Sequence, residues 1–318
     1  MDYVIEKEWD GKTVLEVIRR RLGISHALLK HLKFLENGIT LNGAHVTVRA
    51  TVREGNVLTL AIEDTESPEK LTPCDLPLPI AYEDDDAVVP SKPADMPTHQ
   101  SFGHYGDTVA NALAYRYMNG SNPFVFRPVN RLDRNTSGLL LIARNRIAAA
   151  YLSEAMKSHQ ISKKYLAVLK GSLPCEKGVI DTYMRRTAES VIVREVCGEN
   201  QGGDRAVTEY SVILKSDTHT LVEAVPVTGR THQLRVHFAS IGAPIEGDDM
   251  YGETSPLISR HALHSFSLTF PRVSDGKAIT ITSELPEDMS RLCESVFGKG
   301  VNERLLPLLR GQDNENNG

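Results

Sequence analysis

One carboxylate, Asp133, stands among five arginines, Arg127, Arg131, Arg134, Arg144 and Arg146. Guanidinium groups stay charged and fork onto anionic oxygens, so arginine at this density suits the gripping of phosphates. The same charges would favour the ionised form of the acid between them, which makes Asp133 a candidate nucleophile or base. Asn135 to Gly138 are turn formers that would present Asp133 on a loop, and Leu139 to Ala143 read as a short strand buried on both faces. Taken alone, the run also fits a surface turn whose aspartate is neutralised by its neighbours.

Two further stretches carry groups suited to the same site. In the first, Lys163, Lys164 and Tyr165 open an alternating segment that runs to Leu169. A phenol stacks on a base and still offers a hydroxyl, although an ordinary half-buried strand aromatic has the same signature. The second runs from Val227 to Gly242 and contains Arg230, His232, Arg235 and His237. Here Leu234, Phe238 and Ile241 share one helical face and His232, Arg235 and Ala239 an adjacent one, so one side can pack while the other addresses a site. His232 and His237 lie five positions apart, about 140° around a helix, which is wrong for joint metal ligation. They read as hydrogen-bonding or core residues.

The elements that must position these groups fall into two units. In residues 1–64, Thr13 and Glu16 have the spacing of a capping box, followed by Val14, Leu15, Ile18 and Leu22 at helical intervals up to Gly23. Ser25 can cap a second helix with Leu28, Leu29, Leu32 and Leu35 on its apolar face. Asn42-Gly43 signals a type I′ turn between strands at 39–41 and 46–48, and 57–62 supplies another strand. Residues 65–79 turn to Pro, Glu, Ser and Thr, as a linker does. Beyond them a second domain spans 80–297, with helices expected at 107–117 and 146–160 and strands at 163–169, 208–214, 220–225, 264–270 and 278–282. This order suits an α+β domain with a mostly antiparallel mixed sheet and flanking helices. Residues 298–318 form a C-terminal tail.

Composition bounds the partners. The net charge of −5 is unevenly spread: residues 127–240 carry 17 Lys+Arg against 11 Asp+Glu, whereas the rest carries 19 against 30. A basic face on an acidic protein remains compatible with nucleic acid, unless folding averages the segregation out. The charged N-terminus and the lack of a long apolar run make a cytoplasmic protein the default. Cys74, Cys175, Cys197 and Cys293 are scattered without a paired spacing, so they signal neither zinc nor a disulfide framework.

The segment Asn130-Arg131-Leu132-Asp133, two further residues, Thr136-Ser137-Gly138 and a leucine-rich strand resembles the central motif of the RluA-type RNA pseudouridine synthases, where the first position is His. The strand at Lys163–Tyr165 is similar to that family's Lys-x-Tyr element, the 227–242 stretch to its arginine-bearing helix, and Lys92-Pro93 to its Lys-Pro element. Pro90 and Ser91 depart from the usual pattern just before it. Residues 1–64 resemble an S4-type (αL) RNA-binding domain. The likeness covers roughly Lys12 to Phe297.

What the resemblance implies is specific. Asp133 would be the catalytic acid, with Tyr165 against the target uracil and Arg235 paired to Asp133. Arg131, Arg134, Lys163, Lys164 and Arg230 would contact RNA, joined by Arg19, Arg20, Arg21, Lys30 and Lys33 from the N-terminal domain. Asn130, Thr136 and His232 would support them. The expected activity is isomerisation of uridine to pseudouridine in structured ribosomal or transfer RNA. No metal and no cofactor are implied, and a monomer is the default. A non-catalytic RNA chaperone or ribosome-assembly factor of the same ancestry is the alternative. A glycoside hydrolase is disfavoured because no second acid is signalled beside Asp133.

Overall fold

The computed structural model describes residues 1–24, 26–35, 37–62, 71–120 and 124–305. The N-terminal unit comprises β1 (Asp2–Val4), α1 (Val14–Glu16), α2 (His26–Phe34), β2 (Ile39–Leu41), β3 (Ala44–His45) and β4 (Val57–Leu60), with sheet order β1-β4-β2-β3. The capping box forms as the spacing predicts: Glu16 N–H donates to the Thr13 hydroxyl at 3.3 Å, and Thr13 N–H donates to the Glu16 carboxylate at 2.9 Å. The single turn of α1 widens into a π-helical turn, in which Leu22 N–H reaches the Val17 carbonyl at 3.1 Å. Val14, Val17 and Ile18 are buried with Leu32, Ile39, Leu58 and Leu60, but Leu15 is exposed. Ser25, expected as a cap, and the Leu28 side chain lie outside the described residues.

Asn42 and Gly43 both take positive φ, 51° and 81°, as a type I′ turn requires. The strand expected at 46–48 is instead the two-residue β3. Beyond it the backbone leaves the sheet to serve α1: Val48 and Ala50 carbonyls accept from Leu15 and Val14 N–H at 2.9 Å each. These are donors that the first helical turn cannot satisfy within itself.

The second unit contains β5 (Ile80–Glu83), β6 (Ala87–Lys92), α3 (Val109–Tyr117), β7 (Arg127–Pro128), β8 (Ser137–Leu139), β9 (Ile142–Ala143), α4 (Arg146–Lys157), β10 (Ser162–Lys170), β11 (Lys177–Arg186), β12 (Arg194–Cys197), β13 (Asp204–Lys215), β14 (His219–Pro226), α5 (Gln233–Ser240), β15 (Leu263–Pro271), β16 (Ala278–Thr282) and α6 (Glu287–Phe297). Its twelve strands join in one mixed sheet, ordered β12-β11-β13-β14-β10-β15-β8-β6-β9-β7, with β16 on β15 and β5 on β6. Among the described pairs only β8 with β15 is parallel.

Three differences from the sequence reading have physical reasons. The buried segment at 139–143 is two strands, because the chain changes partners: β8 lies against β15 and β6, while β9 pairs with β6 and β7. The later part of the proposed linker is packed down. Leu71, Leu76 and Leu78 rest on the main core, and Asn111 donates from Nδ2 to the Thr72 carbonyl at 2.8 Å. Strands β11 and β12 and helix α6 were not anticipated. Mixed exposure along the two strands hides their period, whereas α6 carried usable signals in Pro286, Glu287 and Asp288 at its start. Residues 312–318 lie outside the described residues.

At Gly138 the sheet leaves no room for a side chain. It has φ of 111°, and an added Cβ would lie 2.1 Å from the Ser265 carbonyl oxygen of β15. Gly138→Ala should therefore separate β8 from β15 or strain the backbone, at a cost of roughly 2–4 kcal/mol. Chemical denaturation measures it, and a midpoint equal to wild type would contradict the register described here.

Candidate active site

Tyr165 lies on the central strand β10, opposite Ala224 of β14 and Ser265 of β15, just after a bulge between Lys164 and Tyr165. The bulge re-aims the side chain toward the end of the sheet where the loop of Asp133 arrives. Burial pushes the Tyr165 phenol well above its ordinary range, so the hydroxyl keeps its proton.

The Asp133 loop is held from three sides. Thr98 donates its hydroxyl to the Leu132 carbonyl at 2.9 Å and accepts from Leu132 N–H at 3.3 Å. Lys92, 1% exposed, donates to the carbonyls of Pro93, Met96 and Arg134 at 2.8 Å each. Burial pushes Lys92 down to about 7, while three carbonyl acceptors engage all three donors of its ammonium form. Arg260 donates to the Asn135 carbonyl at 3.0 Å and forks onto Asp288 of α6 at 2.6 and 3.0 Å. Within the loop, Thr136 N–H closes a turn onto the Asp133 carbonyl at 3.1 Å.

Asp133 Oδ2 faces Arg235 at 3.7 Å and His232 Nε2 at 3.9 Å. The Arg235 fork, however, belongs to Asp248, with bonds of 2.8 and 2.7 Å. Asp248 has no exposed side-chain surface. Burial alone would raise the Asp248 carboxyl, yet the Arg235 hydrogen bonds and charge hold it below the usual range. Arg235 thus bridges two carboxylates, the bidentate one fixing the plane of its guanidinium and leaving Nη1 toward Asp133. Asp248 was absent from the sequence reading, since nothing near it in the chain marks it as a partner.

His232 starts α5 in a left-handed conformation, φ 59°. Its Nδ1 lies 2.8 Å from the Tyr251 hydroxyl, whose oxygen accepts from Arg194 N–H at 2.9 Å. In the tautomer protonated on Nε2, Nδ1 accepts the Tyr251 proton and Nε2–H points toward Asp133. Burial lowers the His232 pKa despite the nearby Asp133, which favours that neutral form.

The anticipated residues divide. Asp133, Tyr165, Arg235, Arg131, Lys163 and Arg230 line one cavity of about 100 Å³, with Thr136 and His232. Apart from Arg131, the arginines flanking Asp133 in sequence do not converge on it. Arg134 pairs with Asp95 at 2.6 Å, Arg127 donates to the Val125 carbonyl, and Arg144 stacks over Tyr117 beside Glu83. Arg144 and Arg146 line a separate cleft of about 650 Å³ with Arg21, away from Asp133. The division of β8 from β9 carries them off. Lys164 faces Glu223 at 3.6 Å. Asn130 accepts from Leu141 N–H at 2.7 Å, while its Nδ2 has no partner among the described residues. Arg19, Arg20, Lys30 and Lys33 are exposed on the N-terminal unit, and Arg21 faces Glu6 at 3.7 Å. Among the described residues no His, Cys, Asp or Glu cluster is arranged to hold a metal ion, and no helix is long and apolar enough to cross a membrane.

Three histidines beneath the site are buried. His261 bonds Thr136 Oγ1 at 2.8 Å, His237 bonds Thr208 Oγ1 at 2.9 Å and His264 bonds Ser137 Oγ at 2.9 Å. Burial pushes them down to about 3, 4 and 4 respectively. Their folded pKa values lie below the unfolded value of roughly 6.5, so the unfolded chain binds more protons between the two. Stability should fall as pH drops from about 6.5 toward 4, by on the order of 1 kcal/mol per histidine per unit. Urea melts across that range check it; a flat profile would contradict neutral burial.

The chain matches the family model for RNA pseudouridylate synthase over residues 86–240. It is 36% identical over 271 residues to an uncharacterized RNA pseudouridine synthase, YjbO, of Bacillus subtilis, covering 85% of this chain and 95% of the relative. It is also 36% identical over 233 residues to ribosomal large subunit pseudouridine synthase D of Zymomonas mobilis, covering 69% and 73%. The human RNA pseudouridylate synthase domain containing 1 superposes with a TM-score of 0.56 at 27% identity, over 77% of this chain and 98% of that one. With sequence relatives, fold and motif geometry in agreement, the chain belongs to the RNA pseudouridine synthase family, a family of isomerases.

Proposed function

We propose that the protein isomerises specific uridines of ribosomal RNA, with Asp133 as the catalytic carboxylate. The observation that carries this reading is the meeting of Asp133, Tyr165 and Arg235, from three separated stretches, around one small cavity. A base inside a helix is out of reach of such a cavity, so the target uridine must be extruded, at an unstacking cost of a few kcal/mol. Asp133 then acts as nucleophile or base in breaking the bond between ribose and the uracil nitrogen. Tyr165 holds the freed ring by stacking while it turns. The ring rejoins the ribose through its carbon 5, which afterwards loses its proton. Arg235 and the Nε2–H of neutral His232 orient the carboxylate.

Ribosomal RNA is favoured over transfer RNA by the named relative, a ribosomal large subunit pseudouridine synthase. The N-terminal unit would act as an S4-type RNA-binding domain through Arg19, Arg20, Lys30 and Lys33. Its helices carry these exposed cations, and the acidic residues elsewhere in the unit balance them, which limits non-specific adhesion. Tritium release from ribosomal RNA labelled at uracil carbon 5 tests the activity. Release by wild type supports it, whereas tight binding without release favours a chaperone. Mapping pseudouridines in cells lacking the chain then names the position.

A further inference from the structure

Beside the Asp133 cavity, and sharing Gly229, Arg230 and Thr231 with it, lies a second groove of about 620 Å³. Its other wall is the hairpin of β11 and β12. Arg185, Arg186, Arg194 and Arg230 line it against a single carboxylate, Asp204. The arginines differ in availability. Arg185 is paired with Glu195 at 2.8 Å, Arg194 caps the carbonyls of Val191, Ile192 and Val193, and Arg230 lies 3.7 Å from Asp204. The Arg186 side chain is exposed and has no hydrogen-bond or ion-pair partner among the described residues.

At the hairpin tip, Val191 and Ile192 are 76% and 57% exposed. They are not loosely placed: the Ser190 hydroxyl accepts from the N–H groups of Ile192 and Val193 at 3.2 Å each, and Arg194 holds the carbonyls from the other side. A folded turn that presents two β-branched apolar side chains beside arginines has the composition of a wedge against stacked bases. The hairpin is also tied to the reaction centre. Arg194 N–H bonds the Tyr251 hydroxyl, which bonds His232, which faces Asp133.

We propose that this hairpin and the 229–231 loop seat the RNA strand flanking the extruded uridine, with Arg186 and its neighbours on phosphates and Val191 and Ile192 against bases. The proposal rests on the pseudouridine synthase reading of the Asp133 cavity. It follows from the four arginines that line the groove, of which Arg186 has no acidic partner among the described residues and Arg194 meets only carbonyls, and from the groove's continuity with that cavity. A strand whose nucleotide enters the cavity must continue along one of its rims, and this rim offers charge for the backbone and apolar surface for the bases.

The test uses an unmodified transcript of large-subunit ribosomal RNA and measures binding in an Asp133→Asn background across a potassium chloride series. Arg186→Gln should reduce the slope of log affinity against log salt by about 0.7–0.9, the value of one lost phosphate contact. The double change Val191→Ser and Ile192→Ser should weaken binding by about tenfold while leaving that slope intact, since it removes no charge. Both substitutions are at exposed positions, and circular dichroism confirms the fold. Wild-type affinity and slope in both variants overturn the groove, as does an effect of the double change on self-association alone. Pseudouridine formation by the otherwise unaltered chain is followed on the same transcript. Product formation with insensitive hairpin variants defeats only the groove; sensitive variants without any product defeat only the parent reading.

Discussion

Asp133→Asn should abolish pseudouridine formation, lowering turnover by at least about four orders of magnitude, with RNA affinity changed little. The amide keeps the size and planarity of the carboxylate but is neither a nucleophile nor a base at neutral pH. Its surroundings should accept it. The carboxylate contacts Arg235 only at 3.7 Å and His232 at 3.9 Å, and the loop is held by Thr98, Lys92 and Arg260 through backbone groups that the substitution leaves alone. Stability should therefore remain near wild type, which separates a chemical defect from a folding one. Single-turnover tritium release measures the first and thermal unfolding the second. Appreciable release from the folded variant would remove Asp133 from its assigned role.

Asp248→Asn should damage both folding and catalysis. Asp248 is fully buried and takes both bonds of the Arg235 fork, so neutralising it leaves a buried guanidinium whose remaining anion is Asp133. Removing one partner of such a pair costs roughly 3–5 kcal/mol. For a chain of this size that lowers the melting temperature by on the order of 10 °C. Arg235 would then turn toward Asp133, replacing an oriented contact at 3.7 Å by a direct pair, and the carboxylate would lose freedom to attack. Turnover should fall even at temperatures where the variant is folded. Wild-type melting together with wild-type turnover would show that the bridge from Asp248 through Arg235 to Asp133 has no function.

These two aspartates mark how much could be read in the chain. Asp133 was legible because its neighbours in sequence declare it: a turn of Asn135 to Gly138 and a wholly apolar run after it, with the spacing that suggested the family. The elements that carry Tyr165 and Arg235 were legible from local periods, strand for one and helix for the other, while the roles expected of the two side chains came from the resemblance. Even the capping box at Thr13 and the turn at Asn42 follow from contacts three residues apart or fewer. Such features depend on the chain's own short-range geometry, so the order of residues suffices to place them.

Other features depend on what distant segments bring. Asp248 and Tyr251 do nothing recognisable in sequence, yet they decide how Arg235 and His232 face Asp133. The arginines around Asp133 look like one cluster in the chain, yet in space Arg131 shares its cavity while Arg144 and Arg146 are carried off, because β8 and β9 take different partners. Lys92, 42 residues before Arg134, fixes the far side of the loop through its carbonyl. The sequence by itself determined which residue types stand at the proposed site and which local elements hold them, since both are written in short-range pattern and residue type. Only the tertiary structure decided which charges meet, because a Coulomb interaction and a hydrogen bond depend on separation in space, and separation in space is set by the pairing of the whole sheet.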